Sequence, residues 1–81
     1  MDAEPDFDAD LDACGLLCPL PVLKARKRLA GLSPGAILLI RGDDPAARVD
    51  VPHFCAEQGH DLIATRDETA GVMAFWVRKG G

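Results

Sequence analysis

The 81-residue sequence lacks a basic excess: nine lysines and arginines stand against thirteen aspartates and glutamates, for a net charge of −4. That balance argues against a nucleic-acid binder working through bulk charge. No apolar run approaches the length needed to span a membrane. The first ten residues are acidic and show no basic region followed by an apolar one, so no secretory signal is expected and a cytoplasmic location is. Cysteines number only three, an odd count that does not suit a disulfide framework. Their spacing with His53 and His60 matches no ordinary zinc pattern, so no metal site and no cofactor is expected. Internal repeats and low-complexity segments are absent as well.

What is present reads as one small α+β domain. Residues 1–6 are expected to form an acidic tail and residues 7–81 the folded unit. Phe7, Ala9 and Leu11 alternate with Asp8, Asp10 and Asp12, a period of two that predicts a first strand ending near Ala13. Val22, Ala25, Leu29 and Leu32 recur at helical steps and predict a helix over Pro19–Ala30, stopped by Gly31 and Ser33-Pro34-Gly35. The apolar run Ala36–Ile40 predicts a central strand buried on both faces or nearly so. A second helix falls between Ala46 and Gln58, with Asp44 before Pro45 a cap candidate and Gly59 the stop. Pro52 leaves two alternatives: Asp50 caps a shorter helix, or Pro52 lies early enough to be tolerated. Asp61–Arg66 predicts a third strand with Leu62 and Ala64 facing one way. Val72–Lys79 predicts a fourth, with Met73, Phe75 and Val77 opposite Val72, Ala74 and Trp76. The order β-α-β-α-β-β gives a two-layer sandwich, two helices on one face of a mixed four-stranded sheet.

The stretch with the most chemistry is Asp12-Ala13-Cys14-Gly15-Leu16-Leu17-Cys18-Pro19-Leu20-Pro21. A proline that opens a helix pushes the preceding residue out of helical geometry, which places Cys18 at the helix cap. Free N–H groups and the positive end of the helix dipole there are expected to favour the thiolate, making Cys18 a nucleophile or sulfur carrier. A buried structural cysteine is the plainer alternative. Gly15 permits the sharp turn from strand to helix, and Asp12 is expected to bond turn N–H groups rather than act in catalysis. Cys14 is open to three readings: a resolving thiol that closes a disulfide with Cys18, a second sulfur-holding site, or a strand-end side chain without chemistry. Lys24, Arg26, Lys27 and Arg28 form a solvated basic helix face that also suits partner docking. Cys55 falls on the apolar stripe of the second helix and is expected in the core.

The set Asp12-x-x-Gly15-x-x-Cys18-Pro19-x-Pro21, followed in order by Asp43-Asp44-Pro45, Asp50-x-Pro52, Gly59-His60 and Arg78-Lys79-Gly80-Gly81, resembles the signature of the TusA/SirA-like sulfur carriers. The resemblance runs from about Leu11 to the C-terminus and implies the fold just described. It implies that Cys18 carries a persulfide, supported by Pro19, Pro21, Gly15 and Asp12, in a sulfurtransferase acting as a protein persulfide carrier. Lys24, Arg26, Lys27, Arg28 and Asp44 are the candidate partner contacts. The implied donor is a cysteine desulfurase or rhodanese-like transferase, the implied acceptor another small sulfur-relay protein, and one downstream role is 2-thiolation of tRNA wobble uridine. Neither direct nucleic-acid binding nor membrane contact is expected. Cys14 departs from the family pattern. Two readings compete with the carrier: an interaction or regulatory module, and a Cys14–Cys18 thiol-disulfide switch. The final Gly80-Gly81 resembles the end of ubiquitin-like sulfur carriers, but the β-α start does not, and the pair reads more simply as a flexible tail end.

Overall fold

Alternation of apolar and polar side chains builds the sheet, and the 3.6-residue stripes lay the helices over it. A computed structural model describes residues 5–81; the expected tail, residues 1–6, lies outside the described residues except for Pro5 and Asp6. The elements are β1 (Ala9–Asp12), α1 (Leu20–Ala30), β2 (Ile37–Gly42), α2 (Ala47–Gln58), β3 (Asp61–Asp67) and β4 (Met73–Arg78). A 3-10 turn at Thr69–Gly71 joins the last two strands. The strand order is β1-β2-β4-β3, with β1 parallel to β2 and the other pairs antiparallel. This is the expected α+β arrangement, two helices on one face of a mixed four-stranded sheet.

The core lies between sheet and helices. Ala25 and Leu29 of α1, and Val51, Phe54 and Cys55 of α2, pack on Leu38 and Ile40 of β2 and on Met73, Phe75 and Val77 of β4. Removing each large aliphatic or aromatic side chain from water stabilises the fold by about 1.5–3 kcal/mol. The helix-free face holds a second, smaller cluster of Leu39, Ala74 and Trp76, flanked by Ile37 and Ala64. Both faces of β2 and β4 are therefore covered, as the apolar runs require. Over Trp76 the Arg66 guanidinium lies 5.3 Å from the ring centre, and Glu68 is paired with both Arg41 and Arg66. Those hydrogen bonds, from Arg66 first and Arg41 second, hold the Glu68 carboxyl below its usual range.

Three local expectations are corrected. Phe7 lies before β1 and is exposed, because the ladder with β2 begins at Ala9 opposite Leu38. Leu62 and Ala64 do not share a face: a bulge between them inserts Ile63, so Leu62 packs with the helix-side core and Ala64 with Trp76. Gly80 is not a free tail end. Its N–H donates to His60 Nδ1 at 3.0 Å, and a Cβ there would meet the Gly59 carbonyl oxygen at 1.9 Å, so only glycine fits.

The second helix keeps Pro52 inside it. Its first turn is tight, with Ala47, Arg48 and Val49 N–H groups bonded three residues back. Asp50 is within the helix rather than capping it. The Asp44 side chain takes the Ala46 N–H at 3.0 Å. Gly59 ends the helix in the left-handed conformation, φ 74°, and His60 N–H bonds the Cys55 carbonyl.

Candidate functional site at Cys18

The loop from Ala13 to Pro19 leaves the end of β1 at the rim of the sheet, and three aspartates hold its backbone. Asp12 Oδ1 accepts the Cys14 N–H at 3.0 Å. Asp43 Oδ1 accepts the Gly15 N–H at 2.9 Å, and Gly15 has φ 83°, a region that favours glycine. Asp44 Oδ2 accepts the Cys18 N–H at 2.7 Å. Leu20 N–H closes onto the Leu17 carbonyl at 2.8 Å, and the Cys18–Pro19 peptide bond is cis. Helix α1 begins at Leu20, one residue later than expected, with Pro21 buried in its first turn.

Cys18 is exposed and opens into a groove of about 180 Å³ lined by Pro19, Val22, Asp50, His53, Phe54 and Glu57. Its surroundings work against the expected thiolate. A hydrogen bond to the Asp50 carboxylate, then partial desolvation and the charges of Asp50 and Asp44, push the thiol above its ordinary range. The physical reason is that the helix starts only at Leu20 with Pro19 at its cap, so Cys18 stands before the cap rather than at it, with its N–H committed to Asp44 and two carboxylates close by. Asp44 in turn is held below the usual carboxylate range by the N–H groups of Cys18 and Ala46. Read beforehand as a partner contact, it has both carboxylate oxygens engaged within the chain.

The other thiols stand apart from this groove. Cys14 is exposed; partial burial, then a hydrogen bond to Asp12, raise its thiol. The Asp12 carboxyl is lowered, first by the Cys14 backbone N–H and then by the Cys14 thiol. Cys55 is buried in the core as expected, and burial pushes it up to about 11. The His60 ring lies tilted at 45° against Phe54, ring centres 5.6 Å apart. Among the described residues no group of three or more His, Cys, Asp or Glu side chains is placed to hold a metal ion.

The basic residues line a different surface. Lys24, Lys27 and Arg28, with Leu11, Gly31 and Leu32, border a groove of about 430 Å³. None of these lines the groove of Cys18. Arg26 is exposed on the same helix, and Arg28 Nη2 donates to the Asp10 carbonyl at 3.0 Å. What the sequence reading missed is the contribution of α2: Asp50, His53 and Glu57 face the thiol, and His53 Nε2 lies 3.3 Å from Glu57 Oε1. The signal was present, since positions 50, 53, 54 and 57 follow the three- and four-residue steps of a single helix face.

No helix among the described residues is long and apolar enough to cross a membrane. Over residues 9–79 the chain matches the family described as Sulfurtransferase TusA. It is 43% identical over 72 residues to the Sulfur carrier protein TusA of Pseudomonas paraeruginosa, covering 89% of this chain and 90% of that protein. It is 42% identical over 72 residues to the protein of the same name from Pseudomonas syringae pv. syringae, covering 89% and 84%. The crystal structure of the SirA-like protein from Desulfitobacterium hafniense superposes with a TM-score of 0.80 at 25% identity, covering 91% of this chain and all of that one. An exposed cysteine before a proline-rich helix start, on this sheet and with matches over most of its length, places the chain in the TusA sulfurtransferase family.

Proposed function

We propose that the chain is a sulfur carrier that relays persulfide sulfur between proteins through Cys18. The observation that carries this reading is the exposed Cys18 thiol in an open groove at the sheet rim, its backbone fixed by Asp44. Such a thiol is reachable by the cysteine of another protein while its position is defined. Family membership supports the same reading. The donor is a cysteine desulfurase or rhodanese-like transferase, and the acceptor a small sulfur-relay protein in the cytoplasm. A downstream role in 2-thiolation of tRNA wobble uridine is part of the proposal, with residues 7–81 as the single carrier domain. Thiol–persulfide exchange needs no metal or organic cofactor on the carrier. Lys24, Arg26, Lys27 and Arg28 suit an acidic partner surface. Cys14 lies outside the groove that Cys18 lines, which favours the carrier over a switch between the two thiols.

Intact-protein mass after incubation with a cysteine desulfurase, its pyridoxal phosphate and cysteine tests the proposal. The expected result is a gain of one sulfur atom, reversed by reductant, in the unmodified chain, Cys14→Ser and Cys55→Ser, and no gain in Cys18→Ser. Sulfur gain by Cys18→Ser would move the site elsewhere. No gain by any form, from this donor or from a thiosulfate-loaded rhodanese, would favour an interaction module.

A further inference from the structure

The Cys18 groove is acidic, although the helix that follows Cys18 is basic. Asp50 and Glu57 line it from α2 together with His53, which is paired to Glu57. Asp44 borders the thiol from the loop before α2. From α1 the lining is Val22 alone, with Pro19 just before the helix; Lys24, Lys27 and Arg28 of α1 stand along the other groove. Asp50 belongs to the first turn of α2, where an acidic side chain complements the helix dipole. We propose that the acidic groove beside Cys18 receives a cation that a docked partner carries next to its own reactive cysteine, seated between Asp50 and Glu57, with Asp50 the positioning residue that keeps the free Cys18 sulfur unreactive until then. This rests on the carrier reading and adds to it the chemistry of the partner surface.

The physical argument has two parts. Carboxylates beside a thiol, here Asp50 lining the same groove and Asp44 bonded to the Cys18 N–H, favour the thiol over the thiolate, and only the thiolate attacks sulfur. The free carrier is thus slow toward small electrophiles and oxidants despite its exposed sulfur. An incoming cation is attracted by the same carboxylates, and once seated it cancels their field at the sulfur. In the transfer, the Cys18 sulfur uses its electron pair to form a new S–S bond to the terminal sulfur of the donor persulfide. The donor's own S–S bond breaks, and its electron pair goes to the donor cysteine as a thiolate. The proton released by Cys18 passes to that thiolate, so the step has no net oxidation or reduction. The gate makes reactivity conditional on a matched protein partner.

The test is Asp50→Asn, which keeps shape and removes charge, with Asp50→Glu as the conservative variant and Cys18→Ser as the blank. Alkylation of Cys18 by iodoacetamide is followed by mass across pH, and sulfur loading from a cysteine desulfurase is followed in parallel. Expected for Asp50→Asn is an alkylation profile displaced to lower pH, a several-fold faster rate near neutrality, and slower loading by the protein donor. Asp50→Glu is expected to return both toward the unmodified values. An alkylation profile that does not move, or loading that rises in step with alkylation, would overturn the proposal. If the unmodified chain never loads while the alkylation profile still shifts, the carrier reading fails and the influence of Asp50 on the thiol stands.

Discussion

Cys18 and Cys55 are the same side chain in two regions of one small molecule, and both thiols are held above their ordinary range for different reasons. At the rim, a carboxylate hydrogen bond does it first. In the core, burial does it. The causes at the rim are mainly the Asp50 and Asp44 carboxylates, which stand at the surface beside an exposed thiol. The cause in the core is distributed over the packing of α2 on the sheet and yields only to unfolding. An elevated thiol is therefore not in itself a sign of inertness; what matters is whether the group responsible can be neutralised without breaking the fold.

The comparison is broken most directly by exchanging the sulfurs for oxygen. Cys18→Ser is expected to abolish sulfur loading and leave the thermal midpoint nearly unchanged, whereas Cys55→Ser is expected to load normally as long as it is folded. The same Cys55→Ser change places a hydroxyl in an apolar site, a cost of about 1–3 kcal/mol where it finds no partner, which chemical denaturation will read. A smaller effect follows from pH. The Cys55 thiol is raised in the fold to about 11, so its contribution is full below the ordinary thiol value and is lost as pH rises through about 11. Urea midpoints of the unmodified chain are expected to fall across that alkaline window more steeply than those of Cys55→Ala. The smallest effect concerns Asp44, whose carboxyl is lowered by the Cys18 and Ala46 N–H groups. A lowered acid contributes stability above its ordinary value and loses it as pH falls through the depressed one. The gap in melting temperature between the unmodified chain and Asp44→Asn is expected to close as the solution is acidified.

Sequence reading located these regions unevenly, for physical reasons. The sheet and both helices were legible because apolar spacing reports burial directly: Leu38 to Ile40 had to be central, and Met73, Phe75 and Val77 had to share a face. Cys18 was legible because two prolines mark a backbone held in place. The bulge at Ile63 was not, since Leu62 and Ala64 obey the same alternation whether or not an extra residue intervenes. The direction of the Cys18 shift was misread because it depends on Asp50 and Asp44, which lie far along the chain and are brought over by the fold. Local rules see the helix end; they do not see the carboxylates opposite. Gly80 was misread for the same reason, its neighbour being Gly59 across the sheet end.

The hydrogen bonds from Gly15 to Asp43 and from Cys18 to Asp44 close loops of 28 and 26 residues. Closing such loops costs entropy before any contact repays it. The reactive loop therefore gains these two anchors only when residues 43 and 44 are brought beside it. A nascent chain that has not yet delivered residues 43 and 44 carries the whole Cys-Pro-Leu-Pro segment and still lacks two of its three backbone anchors. Possession of the cysteine and presentation of it are thus separated in time, and a partner that recognises the anchored loop is in effect inspecting the finished fold before any sulfur changes hands.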